Sequence, residues 1–357
     1  MKKVLSAALA LMLTGSLLSS QALQSTDLHI KGDINSDSNT DLSDLTLLSL
    51  NLLGDFSFSP EQYVTSDINY DKDVDIADLA IYKQYISHDK DVPALEDPEK
   101  ATIEDEYRSY LFNYLSLRMN NLVYSNARED FPDSDTIYCN FRQINCGSIK
   151  NNRLYRSSSP CDNEHNRAPY SDKLMKKYGI EYIVNLADTE AYIERYLSYN
   201  TYSFPYTLSL IKEGKVALSY VTTDYTSESF KATIGNTLKS LPSHKGPYAV
   251  HCLEGMHRTG FVCLLLEALC DASYPEIRDD YMKTYENYYK ISQRTDRELY
   301  DYLVTQRLDS MIDYLLLYSD SEQNTGKINL SECAFNYLLD CGMNNDEINE
   351  LKNALCN

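Results

Sequence analysis

Tryptophan is absent from the 357 residues of this chain, while tyrosine occurs 31 times and phenylalanine 9 times. Aromatic packing must therefore be largely tyrosine, and each buried hydroxyl needs a partner. Positive charge is scarce: 33 basic side chains stand against 53 acidic ones, for a net charge of -20. That balance excludes the basic footprint a nucleic-acid binder uses to displace counterions. It also argues against docking on anionic membranes. No Cys-x-x-Cys pair occurs among the nine cysteines, so a zinc site is not expected. Beyond the N-terminus no apolar run is long enough to span a bilayer. What is present, 43% hydrophobic residues over this length, suffices for packed cores and suggests two domains.

Lys2-Lys3, an apolar run from Val4 to Leu13 and the small-residue end Ser20-Gln21-Ala22 read as a secretory signal peptide over residues 1–22. A membrane anchor is the weaker reading, because Thr14-Gly15-Ser16 interrupts the run. A secreted protein is expected, and its odd number of cysteines leaves at least one thiol free. Residues 23–100 hold 17 acidic and only 5 basic side chains, a composition shift that marks a domain boundary.

Within that acidic segment a 12-residue pattern repeats after 34 residues. The first copy carries Asp33, Asn35, Asp37, Asn39, Asp41 and Asp44; the second carries Asp67, Asn69, Asp71, Asp73, Asp75 and Asp78. Oxygen side chains fall at loop positions 1, 3, 5, 9 and 12, with Asn39 and Asp73 offering a backbone carbonyl at position 7. This is the spacing with which a loop of about 12 residues surrounds a calcium ion. A helix is expected after each loop, from Leu42, Leu45, Leu47-Leu48 and Leu50 and from Ile76, Leu79-Ala80-Ile81 and Tyr85. The sixth position, where a calcium loop turns sharply, holds Ser38 and Lys72 in place of Gly, at some cost in strain.

The duplicated loop-helix segment resembles a type I dockerin module, assigned here to residues 30–88. The resemblance implies two structural calcium ions and docking on a cohesin domain of a scaffold protein, as in a cellulosome. Loop positions 10 and 11, which often set cohesin choice in that family, hold Leu42-Ser43 and Ile76-Ala77. Their difference argues against a symmetric dual binding mode. Residues 89–105, rich in Pro and charge, read as a linker, followed by a catalytic domain over 106–357.

The second informative stretch runs Tyr248-Ala249-Val250-His251-Cys252-Leu253-Glu254-Gly255-Met256-His257-Arg258-Thr259-Gly260-Phe261. An apolar strand enters, a loop turns and an apolar helix leaves. Hydrolysis of a phosphate monoester needs an in-line nucleophile and donors for three equatorial oxygens. A loop at a helix N-terminus offers backbone N–H groups to an anion, and Leu253, Glu254, Gly255, Met256 and His257 are the positions expected around it. Arg258 can hold two oxygens bidentately. The same positive field favours the thiolate of Cys252 as nucleophile. Thr259 can assist the sulfur as it leaves, and His251 is expected to orient the loop from behind.

This stretch resembles the signature of the protein tyrosine phosphatase superfamily. Asn140-Phe141-Arg142, Leu154-Tyr155-Arg156-Ser157-Ser158, Gly179 to Leu186 and Asp280 to Tyr289 resemble the bacterial, dual-specificity-like members. The resemblance implies a phosphocysteine mechanism with no metal at the active site, and a general acid on an upstream loop. Asp224, 28 residues before Cys252, is the first candidate, with Asp188 and Glu190 as rivals. Asp224 also reads as a turn or cap before a helix from Ser227. Relatives often carry Lys-Asp before the loop Arg; here Met256-His257 stand there, removing one cation and one possible in-loop acid. His257 could itself donate a proton.

The expected architecture is multidomain: a small all-α, calcium-binding dockerin and an α/β phosphatase domain with a mostly parallel sheet flanked by helices. Strands are expected at residues 182–186 and 248–251, and helices at 261–270, 274–289, 300–318 and on both sides of Gly342. The expected substrate is a phosphorylated protein or small phosphate ester. An inositol phosphate or phosphoinositide substrate, and a non-catalytic phosphate-binding module, are the alternatives.

Overall fold

The computed structural model describes residues 31–69, 73–87, 100–131, 134–199, 201–319 and 329–357. The proposed signal peptide, most of the proposed linker and the loop residues Asp71 and Lys72 lie outside these. The chain divides into two units, one ending at Asn121 and the other beginning at Leu122.

In the first unit each calcium-type loop runs straight into a helix. Helices α1 (Leu42–Leu53) and α3 (Ile76–Ile86) begin where the ninth loop residue, Asp41 or Asp75, accepts a backbone N–H and the twelfth, Asp44 or Asp78, reaches back to close a capping box. Between them lies α2 (Pro60–Ser66), capped by Ser59 and Gln62. The repeat is visible in the core, where Ile34 and Ile68, equivalent in the two loops, pack with Leu48 and Tyr82. The Tyr82 hydroxyl donates to the Gly32 carbonyl, one example of the partners a tyrosine-rich core requires.

A fourth helix, α4 (Lys100–Asn120), packs against α2. Tyr110 stacks on Tyr63 with ring centroids 4.7 Å apart, and Leu111 and Leu115, one helical turn apart, are buried. The expected linker over 89–105 and a catalytic domain from 106 therefore differ from the observed division. A helical stripe carries the first unit on to Asn121.

The second unit is built on a five-stranded sheet: β1 (Arg142–Ile144), β2 (Leu154–Ser157), β3 (Tyr182–Asn185), β4 (Val216–Leu218) and β5 (Tyr248–His251), in the order β1-β2-β5-β3-β4. Only β1 runs antiparallel to its neighbour. The central strands β2, β3 and β5 are buried along their whole length, as parallel strands covered on both faces must be.

The crossovers include α5 (Ala168–Lys177), α6 (Glu190–Ser198), α7 (Pro205–Lys212) and α8 (Glu228–Leu238). After β5 comes α9 (His257–Leu269), one turn earlier than the sequence suggested. Every residue of α9 from Thr259 to Leu269 is buried. α10 (Tyr274–Tyr289) follows as expected. The helix expected over 300–318 is α11 (Arg297–Leu303) and α12 (Ser310–Leu316), joined by a π-helical segment, Val304–Asp309. Finally α13 (Leu330–Asp340) packs on α9 and α14 (Asn345–Cys356) follows, with Gly342 at a φ of 84° between them.

Register sets the position of the site. Ser157 and Asn185 pair on either side of His251, so the chain leaves β2, β3 and β5 at one level of the sheet. Ligands of α/β sheets sit in this crevice beyond the carboxyl ends of the strands.

Candidate functional site

The first calcium-type loop is organised around its own carboxylates. Asp33 accepts the N–H groups of Asp37 and Ser38 at 3.0 and 2.9 Å, and Asp37 accepts that of Asn39 at 2.9 Å. Asp44 accepts from Ile34 and Asn35 at 2.8 and 3.0 Å and from Asp41 at 2.9 Å. The second loop repeats this: Asp78 accepts from Ile68, Asn69 and Asp75 at 2.7, 3.1 and 2.9 Å. Ser36 and Ser38 lie at φ values of 59° and 68°, so the strain expected at the sixth position is present.

Asp33, Asp44, Asp67 and Asp78 are all nearly fully buried. Burial pushes the Asp33 and Asp78 carboxyls up, and neighbouring carboxylates push the same way. Buried, mutually repelling hard oxygens fit a divalent hard cation. Among the described residues no three His, Cys, Asp or Glu side chains converge as a preformed metal cage, so a cation would draw these oxygens away from the loop amides.

In the second unit, the loop Cys252–Met256 joins β5 to α9. Gly255 has a φ of 69°, and a Cβ there would come 2.3 Å from the Ser157 carbonyl oxygen. Only glycine satisfies both the backbone angle and this approach. The loop carbonyls are held from outside: Ser159 N–H donates to Leu253 at 2.9 Å, Tyr288 Oη to Glu254 at 2.8 Å, and Arg156 Nη2 and Asn140 Nδ2 to Gly255 at 2.9 and 3.1 Å. The amide N–H groups of Leu253 through Arg258 meet no acceptor among the described residues. With the carbonyls engaged from outside and six successive donors unclaimed at a helix N-terminus, the loop is a cradle for an anion.

Cys252, at the base of the cradle, is buried. Arg258 donates through Nη1 to the carbonyls of Leu186, just past β3, and Val221, at 3.1 and 3.4 Å. Its Nη2 and Nε have no acceptor among the described residues. His251 is fully buried, with Nδ1 3.1 Å from the Cys252 carbonyl. A carbonyl only accepts, so Nδ1 carries the hydrogen; burial lowers the ring to about 4 and keeps it neutral. Thr259 is buried, and its hydroxyl has no partner among the described residues. Met256 is buried, and the Glu254 carboxylate accepts from Tyr124 Oη. His257 is about half exposed, with its side chain 46% accessible and Nδ1 3.8 Å from Glu254.

The proposed acids stand apart. Asp224 is exposed and turned into its own loop, accepting from the Thr226 N–H and hydroxyl at 3.1 and 2.6 Å. Those bonds hold its carboxyl below the usual value. Its neighbours Thr223 and Tyr225, however, line a cavity of about 360 Å³ together with His257 and Arg258. Asp188 is buried and accepts from Asn185 Nδ2 and Tyr196 Oη at 2.9 and 2.8 Å; burial raises its carboxyl. Glu190 is exposed in the first turn of α6.

Beneath the cradle lies a charged cluster drawn from the segments around Arg142, Arg156 and Asp280. Asp280, on α10, bridges Arg142 Nε at 2.7 Å and Arg156 Nη1 at 2.5 Å, with side-chain exposures of 7%, 14% and 1%. Arg142 continues to Asn140 Oδ1 at 2.6 Å and Thr284 Oγ1 at 3.1 Å. Burial acts to raise the Asp280 carboxyl, but the two guanidiniums outweigh it and hold it down to about 2. The available signal was an Arg in the middle of a buried strand, which requires a counter-charge.

Among the described residues no helix is long and apolar enough to cross a membrane. A family model described as the tyrosine phosphatase family matches residues 138–357. A second, described as the dockerin type I domain, matches residues 31–87. No curated protein matches the chain.

Proposed function

Because the chain belongs to the tyrosine phosphatase family, a phosphoric monoester hydrolase that also carries a dockerin, we propose that it is a secreted, scaffold-docked phosphatase acting on phosphotyrosine or related monoesters through a phosphocysteine intermediate. The observation that carries this reading is the row of six unclaimed amides beside Cys252 and Arg258. They match the three oxygens of a phosphoryl group undergoing in-line displacement.

The Cys252 thiolate attacks phosphorus, forming the S–P bond as the P–O bond to the leaving group breaks. The leaving oxygen takes a proton from Asp224. Water then attacks phosphorus, the base form of the same carboxyl accepts its proton, and the thiolate leaves with the Thr259 hydroxyl as donor. Arg258 and the amides hold the oxygens through both steps, and no metal takes part. For this role Asp224 must leave its bonds to Thr226 and swing toward the cavity its neighbours line; an acid's reach in the free enzyme does not limit it. Asp188 is the second candidate, favoured by a carboxyl that burial keeps protonated more readily.

The dockerin would bind two calcium ions and hold the enzyme on a cohesin-bearing scaffold outside the cell. Inositol phosphates are the second substrate reading, favoured by a guanidinium outside the loop, Arg307, that lines the same cavity. Cys252→Ser should abolish turnover of an aryl phosphate while phosphate binding persists; unchanged turnover defeats the mechanism.

A further inference from the structure

The phosphate loop itself is poor in cations. Met256 is buried, and His257 is held below its ordinary value by partial burial and by Arg307 and Arg258, against the pull of Glu254. Beyond Arg258, the loop therefore offers little positive charge to a substrate at neutral pH.

Another element provides it. Between α11 and α12 the chain adopts a π-helical turn, Val304–Asp309. Such turns are rare and recur at functional sites, because the inserted residue shifts which side chains face a given side. Here Val304 and Leu308 are buried while Arg307 stays half-buried. Arg307 lines the 360 Å³ cavity together with Thr223, Tyr225, His257, Arg258 and Met311.

No hydrogen bond or ion pair to Arg307 occurs among the described residues. In a chain of net charge -20, a half-buried guanidinium left without a carboxylate is unusual. Two guanidiniums lining one cavity repel each other, and an anion between them relieves that repulsion. The wall is also aromatic, since Tyr225 stacks on Phe261 at 4.3 Å. It is suited to a ring carrying the scissile phosphate.

We propose that Arg307 forms a second anion subsite, receiving a carboxylate or phosphate group that the substrate carries beside its scissile phosphate. This rests on the phosphatase reading and specifies the substrate further: a phosphomonoester with a neighbouring negative charge.

The test uses the full chain and three kinds of substrate. 4-Nitrophenyl phosphate has no second anion. Phosphotyrosine peptides differing only in flanking Glu versus Gln probe a carboxylate, and inositol bisphosphate against inositol monophosphate probes a phosphate. One charge-assisted pair corresponds to roughly tenfold in KM, falling as salt is added. The wild type should favour the more anionic member of at least one pair by that factor. Arg307→Gln should erase the preference and leave 4-nitrophenyl phosphate turnover unchanged; Arg307→Lys should keep part of it. Which pair responds tells the carboxylate source from the phosphate. No preference in either pair, or a preference that survives Arg307→Gln, overturns the subsite. If the wild type fails to hydrolyse even 4-nitrophenyl phosphate, the phosphatase reading itself falls, and the subsite with it.

Discussion

Replacing Asp280 with Asn tests how the fold holds the phosphate loop. The substitution preserves volume and removes the charge between two buried guanidiniums, Arg156 at 1% and Arg142 at 14% side-chain exposure. Breaking a buried pair in this way costs roughly 3–5 kcal/mol, because an uncompensated charge remains. That is a large share of a typical domain's stability. The effect should also reach the site. Arg156 uses Nη1 for Asp280 and Nη2 for the Gly255 carbonyl, so losing the first anchor loosens the second.

A displacement of about 1 Å at a reacting centre can cost on the order of 100-fold, and kcat/KM for an aryl phosphate should fall by about 10- to 100-fold. The assay pairs urea unfolding of the full chain, followed on the transition of the catalytic unit, with steady-state kinetics. A companion variant, Arg142→Met with Arg156→Met and Asp280→Leu, should recover much of the stability, since apolar replacement of a buried cluster is often neutral. It should not recover activity, because the Arg156 donor to the Gly255 carbonyl is gone and the remaining one, Asn140, has lost its own bond from Arg142. An Asp280→Asn protein within about 1 kcal/mol of wild type, or a fully active apolar variant, would refute the reasoning. The same cluster predicts an acid limit. The folded Asp280 carboxyl lies below its ordinary value, so its contribution is complete above that value. It is lost as pH falls from about 4 toward about 2; stability measured across that window should decline, and less so in the apolar variant.

Four further outcomes are expected. Gly255→Ala forces a Cβ to within 2.3 Å of the Ser157 oxygen at a left-handed φ; it should cost at least about 1–2 kcal/mol and most of the turnover, read by thermal melting and kinetics. Asp224→Asn should slow substrates with poor leaving groups by about 100-fold or more while sparing 4-nitrophenyl phosphate; if Asp188→Asn shows that pattern instead, the acid is Asp188. Chelation of calcium should lower the melting of the first unit and leave the catalytic unit's transition in place, and calorimetry that finds no change removes the calcium assignment. In the first loop, Ser38→Gly should stabilise the calcium-bound form by roughly 1 kcal/mol, seen as a higher midpoint in calcium.

Much of this was legible because the informative signals are local. A calcium loop is defined by oxygens within 12 residues, and the matching Asp41–Asp44 and Asp75–Asp78 capping boxes lie in the same segments. The phosphate loop is likewise a contiguous strand, turn and helix, and β5 and α10 fall where the sequence placed them. The boundary at Asn121 was missed because α4 joins the first unit by packing on α2, with Tyr110 stacked on Tyr63, 47 residues earlier. The π turn was missed because apolar spacing over 300–318 satisfies an α-helix almost as well.

The sequence by itself determined the chemistry available: two clustered sets of hard oxygens and one Cys-x5-Arg loop, each written within a dozen or so residues. The tertiary structure alone decided how that chemistry is held. Arg142 and Arg156 meet Asp280 across 138 and 124 residues, and Arg307 is brought beside Arg258 by a turn about 50 positions downstream. Pairings at such separations follow from strand order and helix packing, which depend on the whole core being formed, and no local spacing encodes them.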